Sequence, residues 1–176
     1  MLFRSYHRDK RISGCHFPRP KGFVGGIVNI DLAGPISTDD DGYKYILGIH
    51  DHFSGYTVAV PTKTKQHGEV ARAFLENWAY RVGPPALLVS DNEFLSEVFE
   101  EVCKSLQTEH RAVPPYNARS NGNIERFYGT IKRMYRATTR GLDQKGWRKW
   151  LAPITYATNI TVCSTTGHTP DRKSVV

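Results

Sequence analysis

An uninterrupted apolar run of four residues, Ala86-Leu87-Leu88-Val89, lies between a Gly83-Pro84-Pro85 break and Ser90-Asp91. A run this short, with no polar alternation, predicts a strand covered on both faces, as parallel strands inside an α/β sheet are. The flanking segments agree. Gly26–Leu32 carries a β-branched bias at Ile27, Val28 and Ile30 and predicts a first strand, with Asp31 near its end and Ala33-Gly34-Pro35 as its break. Asp39-Asp40-Asp41-Gly42 marks a turn. Tyr43–Ile49 and Tyr56–Val60 predict two further strands, linked so closely that an antiparallel hairpin is expected. Glu69–Val82 puts Val70, Ala73, Phe74, Trp78 and Val82 on one helical face. Ser96–Leu106 predicts a second helix, capped by Ser96, with Val98, Phe99, Val102 and Leu106 inward. Glu109–Val113 is a short strand closed by Pro114-Pro115. Asn123–Arg140 and Trp147–Thr158 predict two last helices, the first burying Ile124, Phe127, Tyr128, Ile131, Met134 and Tyr135. Three strands, helix, strand, helix, strand and two helices make an α/β fold, a mixed sheet with helices on its faces.

The charge pattern narrows the partner. Residues 1–30 carry six Lys/Arg and one acid, residues 31–109 six against thirteen, and residues 110–176 twelve against three. An acidic middle between basic ends suits a protein that sets carboxylates, with cations, against a polyanion. No apolar run is long enough to span a bilayer, so no membrane partner is expected. The opening residues show no apolar stretch behind their charge, so no secretory signal is expected. Cys15, Cys103 and Cys163 are scattered, and no Cys-x-x-Cys pair exists. That argues against a disulfide framework and a structural zinc site, and for a reducing, intracellular setting.

Three carboxylates stand where a site would form. Asp31 ends the first strand, Asp91 ends the buried strand, and Glu125 opens the long helix. In a mixed sheet of this order the first and fourth strands can lie side by side, bringing Asp31 and Asp91 together, and a helix packed across that edge can add Glu125. Carboxylates so placed repel one another unless cations are present. Hard divalent ions take oxygen ligands, and a pair of them clamps the attacking and leaving oxygens of a phosphodiester. Each residue alone also has an ordinary reading: an Asp after a strand caps the next element, and a Glu in a first helical turn complements the dipole.

Four segments carry a family resemblance. They are Val28-Asn29-Ile30-Asp31-Leu32-Ala33-Gly34-Pro35, Asp51-His52-Phe53-Ser54-Gly55-Tyr56, Gly83-Pro84-Pro85 through Ser90-Asp91-Asn92, and Pro115-Tyr116-Asn117-Ala118-Arg119-Ser120-Asn121-Gly122-Asn123-Ile124-Glu125-Arg126. In this order they resemble the catalytic core of retroviral and LTR-retrotransposon integrases, especially gypsy-like ones, in the ribonuclease-H-like superfamily. The resemblance implies a ribonuclease-H-like three-layer fold with a five-stranded mixed sheet. It implies metal-dependent cutting and joining of DNA ends, with Asp31, Asp91 and Glu125 as catalytic residues holding two Mg²⁺ or Mn²⁺ ions. Asp51 matches a non-catalytic position of the family. The resemblance also implies DNA as partner (element ends and target duplex), a homodimer or higher assembly, and a nuclear location. Tyr116, Asn117, Arg119 and Asn121 are expected to touch DNA from the loop before Glu125. Lys132 and Arg136 follow Glu125 by seven and eleven residues, on the same helical face.

Residues 1–23 are expected to form a basic arm or linker, 24–170 the core, and 171–176 a non-native tail that interrupts the family-like Thr166-Gly167-His168-Thr169-Pro170. The chain departs from the family after Asp91. Asn92 runs straight into Glu93-Phe94, without the usual turn glycine, and 33 residues separate Asp91 from Glu125, two fewer than is usual. A shortened turn beside the site is expected to leave the fold intact and to weaken activity, with Glu93 intruding on the site. The alternative is an integrase-derived module that binds nucleic acid without catalysis. A ribonuclease H-like nuclease fits less well, because the segment around Glu125 resembles integrases specifically.

Overall fold

A computed structural model describes residues 23–113, 127–133, 146–163 and 167–173. Five strands, β1 (Ile27–Ala33), β2 (Tyr45–Asp51), β3 (Thr57–Thr62), β4 (Leu87–Asp91) and β5 (Glu109–Val113), form one sheet in the order β3-β2-β1-β4-β5. Short connections make β1, β2 and β3 an antiparallel meander. Helical crossovers make β4 parallel to β1, and β5 parallel to β4, since parallel neighbours need a connection long enough to return the chain to the same end.

The helices cover both faces. α1 (His67–Phe74) and α2 (Glu97–Ser105) lie on one, where Val28, Ile30, Leu47, Ile49 and Leu88 meet Val70, Phe74, Trp78 and Phe99. α3 (helical residues 127–133) and α4 (Arg148–Ile160) cover the other, where Ile46 meets Phe127, Tyr128, Ile131, Trp147, Leu151 and Ile154. A four-residue helix, α5 (Pro170–Lys173), comes last. This is the three-layer, five-stranded mixed sheet expected.

Several details differ from expectation. β2 begins at Tyr45, because the Asp39 carboxylate still holds the preceding turn through the amides of Asp41 and Tyr43. β3 runs on through Pro61, which an edge strand tolerates because one side needs no ladder donor. The first helix does not continue to Val82. A π-helical turn, Leu75–Ala79, interrupts it, and its wider pitch shifts the phase of the residues after it, so that Trp78 is buried while Val82 is 45% exposed. On α2 the buried stripe is centred on Phe99 and Cys103, which leaves Val98 on the rim, 44% exposed. Ser96 caps that helix as expected, accepting from the Phe99 amide. Burial pushes the Cys103 thiol up to about 11, so it serves as a small core residue. Of the predicted helix 123–140, residues 123–126 and 134–140 lie outside the described residues, as do 1–22 of the arm and 174–176 of the tail.

Asp51 closes the β2–β3 connection. It is fully buried; one carboxylate oxygen accepts from the Gly25 amide at 2.9 Å, and the other from the Ser54 amide and hydroxyl at 2.8 and 2.6 Å. Replacing it with alanine strands these donors away from water. Asp51→Ala should cost about 3 kcal/mol in urea unfolding, and a loss below about 1 kcal/mol would show that the turn holds without it.

Candidate active site

β1 and β4 pair in parallel as Ile27↔Leu87, Val28↔Leu88 and Asn29↔Val89. The same offset carried two residues further sets Asp31 level with Asp91. Strand alternation then turns both side chains to the face of Asn29 and Val89, which α3 covers. Both are half-buried. One Asp31 carboxylate oxygen accepts from the Leu32 amide at 2.8 Å. Asp91 is the last residue of β4, and its carboxylate does not cap the 3₁₀ turn after it.

Tyr128 on α3 joins these residues. Its hydroxyl donates to the backbone carbonyl of Asp31 at 2.6 Å and accepts from the Gly48 amide at 3.0 Å. Burial pushes its phenol well above the ordinary value, and the negative charges of Asp31 and then Asp91 push the same way, against the hydrogen bonds at Gly48 and Ala33. Both carboxylates are thus within electrostatic reach of one phenol. They are hard oxygen donors on neighbouring strands, Asp91 at the end of β4 and Asp31 two residues before the end of β1, a set that suits Mg²⁺ or Mn²⁺. Among the described residues no group of three or more His, Cys, Asp or Glu converges.

The structure therefore brings two expected site residues together, Asp31 and Asp91. It places Lys132 on the exposed side of α3. Glu125, Tyr116, Asn117, Arg119, Asn121 and Arg136 lie outside the described residues. Sequence reading assigned Tyr128 to the core and passed over Gly48. The available signal was the glycine itself, since an isolated Gly inside a strand marks a close approach of another group.

The shortened turn after Asp91 is a single 3₁₀ turn, Asn92–Phe94, closed by the Leu95 amide on the Asn92 carbonyl at 3.0 Å. The Glu93 carbonyl meets Nε2 of His67 at 2.8 Å. Glu93 lines a cleft between the starts of α1 and α2 with Leu32, His67 and Val98. That cleft is on the face of the sheet opposite α3, so the expected intrusion of Glu93 is not the arrangement found. Asp91 keeps its place in the ladder, paired with Val113.

Comparison with known proteins gives a consistent result. The family model described as "Integrase core domain" matches residues 24–118. The Pol polyprotein of Feline endogenous virus ECE1 is 34% identical over 113 residues, 63% of this chain and 11% of that protein. The retrovirus-related Pol polyprotein from transposon 412 of Drosophila melanogaster is 25% identical over 136 residues, 76% of this chain and 11% of that protein. The chain thus spans about a tenth of the length of these relatives. Among solved structures, a simian T-cell lymphotropic virus intasome in complex with PP2A regulatory subunit B56 gamma aligns at TM-score 0.72 and 22% identity, over 88% of this chain and 55% of that one. The HTLV-2 integrase catalytic core domain in complex with magnesium, in a trimeric form, aligns at TM-score 0.69 and 22% identity, over 86% of this chain and 97% of that one. At that identity the likeness is one of fold.

Phe94 anchors the turn beside Asp91. It is 2% exposed and meets Phe99 edge-on, with ring centroids 5.7 Å apart. Phe94→Ala should cost about 3 kcal/mol in denaturant unfolding, the usual range for deleting a buried aromatic ring. A loss under about 1 kcal/mol would mean that the turn is held by other groups.

Proposed function

The chain belongs to the integrase core domain family, and we propose that residues 24–170 are a catalytic core for DNA integration, a metal-dependent polynucleotidyl transferase acting on DNA ends. One observation carries this reading. The register of the parallel β1–β4 ladder, extended two residues past its last pair, sets Asp31 level with Asp91 on the face covered by α3, and both carboxylates act on the Tyr128 phenol. Glu125, three residues before Tyr128 in the sequence, completes the proposed triad.

In this reading Asp31, Asp91 and Glu125 hold two Mg²⁺ or Mn²⁺ ions. When bound, such ions activate the attacking oxygen and neutralise charge on the phosphodiester during trimming of the element's end and its transfer to target DNA. The carboxylates supply position and charge, and the sheet supplies rigidity. Lys132, exposed on α3, and Arg136 track phosphates, while Tyr116, Asn117, Arg119 and Asn121 contact the DNA end. The working form is a homodimer or higher assembly, and the site of action is nuclear. The short turn lowers the rate through the groups it lets lie against the carboxylates rather than through Asp91 itself, since an error near 1 Å in a reacting group costs about a hundredfold.

Mg²⁺ or Mn²⁺ should raise the melting temperature, by linkage worth about 1.4 kcal/mol at ten times the dissociation constant. The triple change Asp31→Asn, Asp91→Asn, Glu125→Gln should abolish the increment; an increment that survives would place the ions elsewhere.

A disintegration assay on branched DNA with Mn²⁺ tests the chemistry. Inserting Gly-Ser between Asn92 and Glu93 should raise the metal-dependent rate. Equal activity in both chains would make the short turn harmless. DNA binding without reaction in either would favour the binding module.

A further inference from the structure

The β1–β4 ladder ends at Asn29↔Val89, so Asp31 lies beyond the last residue of β1 that pairs with β4. On its other side Asp31 faces Gly48 of β2. The His52 amide donates to the Ile27 carbonyl at 2.9 Å, and antiparallel alternation from there makes Asp31 and Gly48 a hydrogen-bonding pair. The Tyr128 hydroxyl engages this same pair, accepting from one amide and donating to the other residue's carbonyl, and it also lies 3.3 Å from the Ile46 carbonyl. It reaches the ladder because Gly48 has no side chain. A Cβ built there would stand 2.7 Å from the hydroxyl oxygen, closer than such atoms approach, and a tight 3.1 Å from Cζ of the ring.

We propose that Tyr128 is a positioning residue for Asp31: its hydroxyl, seated over Gly48, ties β1 to β2 where β4 no longer holds β1, and so keeps the Asp31 carboxylate beside Asp91. The inference rests on the metal-carboxylate reading above. Gly48 and Tyr128 form a matched pair, the glycine providing the opening and the phenol filling it. A phenylalanine at 128 would fill the same space and lose the bonds to both strands. Groups that orient a metal's ligands typically change its affinity by roughly ten- to a hundredfold when removed.

Binding of Mn²⁺ to the full 176-residue chain, followed by electron paramagnetic resonance, tests this alongside thermal melting. Tyr128→Phe should fold and should raise the Mn²⁺ dissociation constant about tenfold. Asp31→Asn should lose the site. Ile131→Val, which trims a buried residue of the same helix and leaves the phenol in place, should bind Mn²⁺ as the parent does. Parent-like affinity in Tyr128→Phe, or an equal loss in Ile131→Val, overturns the positioning role and leaves the metal site standing. A parent chain without Mn²⁺ affinity, or an Asp31→Asn variant with undiminished affinity, overturns the metal-site reading and the positioning role with it.

Discussion

The parallel ladder between β1 and β4 stops two residues short of both aspartates, and the geometry of the site depends on where it stops. Beyond Asn29, β1 continues along β2, while β4 turns off at Asp91 towards α2 and β5. The chain therefore leaves the ends of two adjacent parallel strands in opposite directions. That is the topological switch point at which open α/β sheets hold their ligands. Two carboxylates level with each other in this crevice face a repulsion that cations relieve. The fold tolerates the arrangement because both are half-buried and retain access to solvent.

Three aspartates at strand ends show how environment divides one residue type into separate roles. Asp51 is fully buried and engages both oxygens with the Gly25 and Ser54 donors, so it is closed to a ligand from solvent. Asp31 and Asp91 lie at an opening, and Asp91 leaves its own turn uncapped. A family-like motif surrounds each of the three, yet complete burial separates the structural carboxylate from the other two.

Much of this was legible in the sequence. The short apolar run flanked by breakers is the inner strand it predicted, and β5 has the bounds read from the prolines after it. The order of elements allowed the first and fourth strands to lie side by side, as they do, and with that the approach of Asp31 to Asp91. Features that depend on contacts far apart in the chain were not legible. Tyr128 meets a glycine 80 residues away, and helical periodicity sees only the buried face of its helix. The π-turn at Leu75–Ala79 shifts phase without a proline or glycine to announce it. Val98 sits one position from a buried stripe whose centre is set by Cys103, a residue that patterning by larger apolar side chains overlooks.

The turn after Asp91 lies between two fixed points. Upstream, Asp91 is held in the ladder opposite Val113. Downstream, Phe94 is seated in the core against Phe99. A change in chain length between two anchors is taken up by the residues between them, here Asn92 and Glu93, which one 3₁₀ turn and the His67 contact at the Glu93 carbonyl gather in. The path of β4 is therefore insulated from the length of this turn. A change in the turn acts on any group lying against the carboxylates rather than on the strand that carries Asp91. The same insulation means that added residues at this point extend outward without disturbing the ladder, so that fold and chemistry can be varied separately in this part of the molecule.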